Sequence, residues 1–260
     1  MAEIRDWKLD ETNLGRAGKI PYEVAVLPVG ATEAHNLHLP YGTDTIEVEA
    51  IARRACERAW GQGAEVLLLP TQPVSINENT LGFPWTLSLK PTTILTILRD
   101  ICSSLETHRL LKLLVLNGHG GNELKPFLRE LHRETEVQMV LVNWWEVDAE
   151  GHKTIFESPG EHGDEMETSL IMHLAPELVE MDQADEGEVR APHFTGMKEG
   201  WAWISRPWDK LTTNSGVGNP AAATAEKGEQ FIERVVTKIA ELIVEMANEA
   251  IDDWYPYESD

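Results

Sequence analysis

An alternation of apolar runs with stretches of helical spacing restricts this chain of 260 residues more than any other feature. Segments 24-VAVLPVG-30, 65-EVLLLP-70, 112-KLLVLNG-118 and 137-VQMVLVN-143 are near-continuous apolar runs, the pattern of strands buried on both faces. Segment 45-TIEVEAIARRACERAW-60 places Ile46, Ala50, Ile51 and Ala55 at helical spacing. Segment 91-PTTILTILRDICSSLETH-108 opens on proline and puts Ile94, Ile97, Leu98, Ile101 and Leu105 on one face. Further helices are expected over 122–135 and over about 221–250, the last with a regular stripe from Phe231 to Met246. Strands that alternate with helices and are apolar throughout predict an α/β chain with a mainly parallel sheet covered on both faces. At 42% hydrophobic residues, residues 1–260 suit a single domain.

The charge balance excludes some function classes. Lys and Arg number 22 against 44 Asp and Glu, a formal charge of −22. A nucleic-acid binder needs clustered basic charge to release counterions, and no such cluster is present. An anionic membrane would repel the chain as well. No apolar run approaches membrane-spanning length, and 1-MAEIRDWKLDE-11 lacks the apolar stretch of a signal peptide. Cys56 and Cys102 have no His or Cys at ligand spacing and read as reduced core residues of a cytoplasmic protein. Between about 185 and 220 the periodicity disappears, and Gly, Pro and Trp accumulate, as in 201-WAWISRPW-208. Such a segment suits a functional loop, a lid or an oligomer contact.

Ligands of parallel α/β folds bind at the carboxyl ends of the strands, so the polar residues there are the candidates. Glu33 and His35 follow the first strand two residues apart, a spacing that puts both on one face of an extended segment. Asp44 follows a Gly-Thr turn where the next helix begins, His119 sits within 116-LNGHGGNE-123, and Glu165 opens another helix. Zn²⁺, Mn²⁺ and Fe²⁺ all accept such ligands. Each residue alone has an ordinary explanation. An E-x-H pair can be a surface pair, Asp44 a helix N-cap, Glu165 a favourable charge at a helix start, and His38 a satisfied core histidine. The glycine-rich turn could cradle phosphate, but it lacks both G-x-G-x-x-G and the lysine of a P-loop. Taken together, the residues favour two metals over one. Three carboxylates are neutralised by two divalent cations and a shared hydroxide, whereas one cation leaves excess anion in a partly buried cleft. Paired cations also suit hydrolysis of a carbonyl compound.

The motifs 28-PVGATEAHNLHLPYGTD-44, 117-NGHGGN-122 and 164-DEMETSL-170 resemble those of the creatininase (creatinine amidohydrolase) family. The likeness runs from about residue 20 to 245 and includes 219-NPAAATAEKGEQ-230. It implies a three-layer α/β/α sandwich, a two-metal hydrolase acting on a small-molecule substrate, and a homo-oligomer, often a hexamer. Zn²⁺ paired with Zn²⁺, Mn²⁺ or Fe²⁺ is the expected content. Members open creatinine's cyclic amide, deformylate a formamidopyrimidine, or trim a peptide. Carried over by position, Glu33, Asp44 and His119 hold one metal, and His35 and Asp44 the other. His162 matches a histidine that handles protons, and Trp145 an active-site tryptophan. Creatininase proper completes its second site with a carboxylate where this chain has Gly121. Glu165 is the expected replacement, with Glu161 and Glu167 as alternatives. Gly120 and Gly121 would approach substrate through their amides. A small residue near Ser158 stands where creatininase has a second tryptophan, and 75-SINENTLGFPWTLSL-89 also departs from the family. These departures point away from creatinine and towards another cyclic amide or a formamide. Trp144 and the tryptophans of 201–208 suit either pocket walls or oligomer contacts.

Overall fold

The computed structural model describes residues 4–258. Strands β1 (Val24–Val29), β2 (Val66–Leu68), β3 (Lys112–Asn117) and β4 (Gln138–Asn143) form a sheet in the order β2-β1-β3-β4, and every pairing is parallel. The helices, in chain order, are α1 (Leu14–Ala17), α2 (Thr43–Gly61), α3 (Pro91–Thr107), α4 (Lys125–Leu131), α5 (Ala149–Ile155), α6 (Glu165–Leu174), α7 (Thr195–Lys198), α8 (Trp208–Leu211) and α9 (Ala225–Asn248).

Side chains alternate across a strand, so a strand buried on both faces serves two cores. Val24 and Val26 of β1 pack with residues of α2, α6 and α9, while Ala25, Leu27 and Val29 pack with residues of α3 and α4. The result is a three-layer α/β/α arrangement. Its long helices coincide closely with the predicted stripes. The helix expected over 122–135 is shorter, because Pro126 sits in its first turn and the chain before it is used up in the turn after β3. Within 185–220 only the short helices α7 and α8 form. Among the described residues, no helix is long and apolar enough to cross a membrane.

The connections place the site. From β1 the chain crosses to β2 on one side, and β3 pairs on the other side of β1. Adjacent strands whose connections leave in opposite directions open a crevice at their carboxyl ends. The segment carrying Glu33 and His35 leaves β1 at this crevice, and the turn carrying His119 leaves β3.

Candidate metal centre

Three histidines and three carboxylates converge in this crevice, all buried: Glu33, His35, Asp44, His119, His162 and Glu167. Glu33, Asp44 and His119 bring donor atoms within 4.8 Å of one another; so do His35, Asp44 and Glu167, and so do Glu33, His35 and His162. Asp44 belongs to the first two groups. Its Oδ2 lies 3.3 Å from His119 Nδ1, and its Oδ1 lies 3.3 Å from His35 Nε2. The N-cap reading of Asp44 does not hold. Helix α2 is capped at Gly42 without a side-chain bond, and Asp44 lies in the first turn.

The three histidines are aimed by one device. Each gives a ring nitrogen to a backbone carbonyl and turns the other into the crevice. His119 Nε2 meets the Ile76 carbonyl at 3.1 Å, His35 Nδ1 the Glu33 carbonyl at 3.1 Å, and His162 Nε2 the Ala34 carbonyl at 2.7 Å. A carbonyl only accepts, so these nitrogens carry the proton, and a neutral ring keeps its lone pair on the inward nitrogen. The extended run 33–35 accounts for the E-x-H spacing: alternate side chains enter the site, and the carbonyl of Ala34 between them receives His162. The Ser215 hydroxyl donates to the same carbonyl at 2.8 Å.

The asparagines of 117-NGHGGN-122 tie the turn that carries His119. Asn117 Oδ1 accepts from the His119 amide at 3.2 Å and from Asn122 Nδ2 at 3.1 Å; Asn122 Oδ1 accepts from the Ile76 amide at 3.1 Å. Gly121 serves the same turn. A Cβ there would overlap His119 Nε2 and lie 2.8 Å from the Ile76 carbonyl, whereas a Cβ on Gly120 would meet nothing within 4 Å. Only Gly120 is therefore open on its Cα side; that of Gly121 is occupied by the histidine it helps to aim. Gly121→Ala is expected to weaken zinc binding about 10- to 100-fold by displacing His119 from its carbonyl. Gly120→Ala should change it by no more than about twofold. Competition against a chromogenic chelator measures both.

The electrostatics call for positive charge. Burial disfavours a charged His119, yet Glu33 and Asp44 outweigh that cost and raise it well above the ordinary imidazole range. His35 is raised to about 10, burial again being overcome by Asp44 and Glu167. Glu33 falls to about 2, its burial outweighed by His119 and His162. Burial pushes Glu167 up to about 8, with His35 opposing and Asp164 and Asp44 adding to the rise. Glu33 Oε1 and Asp44 Oδ2 face His119 Nδ1 at 2.9 and 3.3 Å, yet neither oxygen has a hydrogen-bond partner. Buried carboxylate oxygens without hydrogen bonds, set against inward imidazole nitrogens, fit a cation that would take the place of the histidine protons.

The fold places Glu165, the expected fifth ligand, apart from the three donor groups. Its Oε2 accepts from the amides of Glu157 and Ser158 at 2.9 and 2.7 Å, and its Oε1 from Lys227 Nζ at 2.6 Å. Glu167 lies 3.9 Å from His35 instead, and its Oε2 accepts from the Gly163 amide at 2.5 Å. Residues two apart on a helix point roughly 200° apart, so α6 sends one carboxylate to α9 and the other to the crevice. Glu161 is exposed and pairs with Arg206 at 2.7 Å.

His162 stacks on His35 with ring centroids 4.0 Å apart and meets the edge of Trp208 at 4.8 Å. Burial and the neighbouring His35 lower it to about 4, so it is neutral at pH 7. Above the floor lies a cavity of about 1300 Å³ whose walls include Trp145, Trp203, Trp208 and Gly120. Several contributors escaped the sequence reading. Thr80 donates to Glu33 Oε2 at 2.5 Å. Glu47 is fully buried with neither oxygen hydrogen-bonded, and burial together with Glu167, Asp44 and Asp164 raises it well above the carboxylate range. Its position one turn after Asp44 was the available signal. Thr80 offered none, because its contact spans 47 positions of the chain.

A family model described as creatininase, creatinine amidohydrolase, matches residues 12–243. The chain belongs to the creatininase family. Among curated members, creatinine amidohydrolase of Pseudomonas putida is 29% identical over 243 residues, covering 85% of this chain and 89% of the relative. 3-Dehydro-scyllo-inosose hydrolase of Thermotoga maritima is 25% identical, covering 85% and 76%. A mycofactocin precursor peptide peptidase of Mycobacterium ulcerans is 25% identical, covering 88% of each. Among solved structures, a candidate creatinine amidohydrolase from Bacteroides fragilis superposes with a TM-score of 0.88 at 40% identity, covering 95% of this chain and 99% of that one. Creatininase structures described as Mn and as a Zn–Zn type also match, with TM-scores of 0.78 and 0.75 at 25% and 26% identity, each covering 94% of this chain and 100% of the other. This creatininase-family chain is a hydrolase, and its α/β fold is that of the family's solved members.

Proposed function

We propose that the chain is a two-metal amidohydrolase that cleaves a non-peptide C–N bond in a cyclic amide or formamide. The observation that carries this reading is the shared position of Asp44 between two groups of buried donors. Glu33, Asp44 and His119 would hold one cation; His35, Asp44 and Glu167 would hold the other, with Glu167 in the part first expected of Glu165. Zn²⁺ with Zn²⁺, Mn²⁺ or Fe²⁺ suits these nitrogen and oxygen donors. Such cations, when bound, polarise a carbonyl and make water a nucleophile at neutral pH.

The chain's own groups supply the rest. His162, neutral and held at Nε2 by the Ala34 carbonyl, presents Nδ1 to the crevice 3.9 Å from Glu33 Oε1. There it accepts a proton from the attacking water and passes it to the leaving nitrogen. Trp145 and Trp208 give the reacting centre an apolar wall, and Gly120 leaves room for close approach to its backbone. A cavity of about 1300 Å³ exceeds what creatinine requires and also favours a second reading, a larger, peptide-like substrate. The reading extends to a homo-oligomer, as a hexamer, in the cytoplasm, where the free, buried Cys56 and Cys102 stay reduced.

The test is turnover by zinc- or manganese-loaded protein of creatinine, a formamidopyrimidine, other cyclic amides and short peptides. Release of formate or ring opening without creatinine turnover is the expected result. Efficient creatinine hydrolysis would overturn the substrate assignment, and a native chain that binds neither metal would overturn the metal centre.

A further inference from the structure

The cavity floor is rich in carboxylates, and its rim is not uniform. Lys125 and Arg129 both line the cavity, from one face of α4. Side chains four apart on a helix are neighbours, so the two cations form a pair. Among the described residues neither has a hydrogen bond or ion pair, whereas the adjacent Glu130 accepts from Arg99 at 3.2 Å. The other cations of the rim are committed: Arg206 to Glu161 at 2.7 Å and Lys153 to Glu150 at 2.8 Å. Of the rim acids, Glu78 is bound by Lys90 at 2.9 Å, and Glu146 accepts from Asn143 at 3.2 Å; Glu123 has no cation partner among the described residues. In a chain where acids outnumber bases 44 to 22, an uncommitted cation pair facing the reaction cavity is poorly explained as surface solvation.

We propose that Lys125 and Arg129 form an anion subsite that receives a carboxylate or phosphate group of the substrate. The proposal rests on the metal-centre reading above, since that reading puts the scissile bond on the cavity floor. The substrate is thus an amide with two ends, its carbonyl over Asp44 and its anionic end on α4. The large cavity accommodates the span between them. Arg129 offers a planar fork and Lys125 a mobile point charge, and both suit an oxyanion.

The experiment is calorimetric binding of alkyl hydroxamates to the zinc-loaded protein. The hydroxamate anchors at the metals, and tails of graded length end in a methyl ester, a carboxylate or a phosphonate. At least one anionic tail is expected to bind about tenfold tighter than the ester of equal length, with the advantage shrinking as salt is added. In the double variant Lys125→Ala/Arg129→Ala that advantage disappears, while ester affinity is unchanged and reports an intact floor. Equal binding of all tails, or an advantage that survives in the double variant, overturns the subsite and leaves the metal centre standing. If not even acetohydroxamate binds, the metal-centre reading fails and the subsite fails with it. Preference for carboxylate over phosphonate, or the reverse, supports the subsite and identifies the group.

Discussion

Asp44→Asn is expected to abolish binding at both proposed metal sites. Asparagine keeps the shape and one oxygen of the side chain but removes the charge that two buried histidines share, at 3.3 Å on either side. In the proposed arrangement Glu33 and His119 serve one cation and His35 and Glu167 the other, while Asp44 belongs to both of those donor groups. Metal content by elemental analysis should fall from about two ions per chain to fewer than one, because each remaining cation would have a single carboxylate to offset its charge. Hydrolysis should fall at least about a thousandfold, the equivalent of losing several kcal/mol of charge stabilisation in the transition state. A folded Asp44→Asn protein that retains two tightly bound ions would remove the shared carboxylate from the mechanism.

How far the sequence reads through to this site depends on the range of the forces involved. Strand and helix positions follow from local apolar spacing, and they emerge within a few residues of expectation. Glu33 and His35 were legible for a related reason, since a spacing of two puts both on one face of an extended segment; His119 was expected from its place after β3, and His162 only from the family likeness. The helix of Glu165 and Glu167 shows where this stops. Both carboxylates lie in its first turn, and local pattern cannot say which side of α6 turns to the sheet's crevice. That is decided by the packing of α6 on α9, where Lys227 waits for one of them. The roles of Thr80 and Asn122 were hidden for the same reason, since their partners lie far away in the chain. The carbonyls that fix the three histidines are a further case, because backbone acceptors leave no trace in side-chain identity.

Exchanging the two glutamates of α6 for glutamine, one at a time, should separate metal binding from architecture. Glu167→Gln removes a carboxylate that burial keeps high, at about 8, with His35 and the Gly163 amide offsetting that burial only in part. It should bring metal content down from about two ions to about one, with hydrolysis reduced at least about a hundredfold and the fold intact. Glu165→Gln should leave both ions in place and act on stability. The Glu165 side chain is fully buried, and its loss of charge leaves Lys227 with Glu157 and the Ala222 carbonyl. Breaking a buried pair costs about 3–5 kcal/mol, and the partial exposure of Lys227 discounts that to about 2 kcal/mol. For a chain of this length the melting temperature would drop by roughly 4–8 °C. The pH dependence has a definite sign. Burial raises the Glu165 carboxyl, but Lys227 and the amides of Ser158 and Glu157 outweigh it and hold it below its usual 4.5. A depressed carboxylate contributes stability that is complete above 4.5 and lost as pH falls through the lower, folded value. The gap in melting temperature between wild type and Glu165→Gln should therefore be full at neutral pH and close in acid. Loss of a metal in Glu165→Gln, with both retained in Glu167→Gln, would reverse the assignment and return the fifth ligand to the first residue of α6.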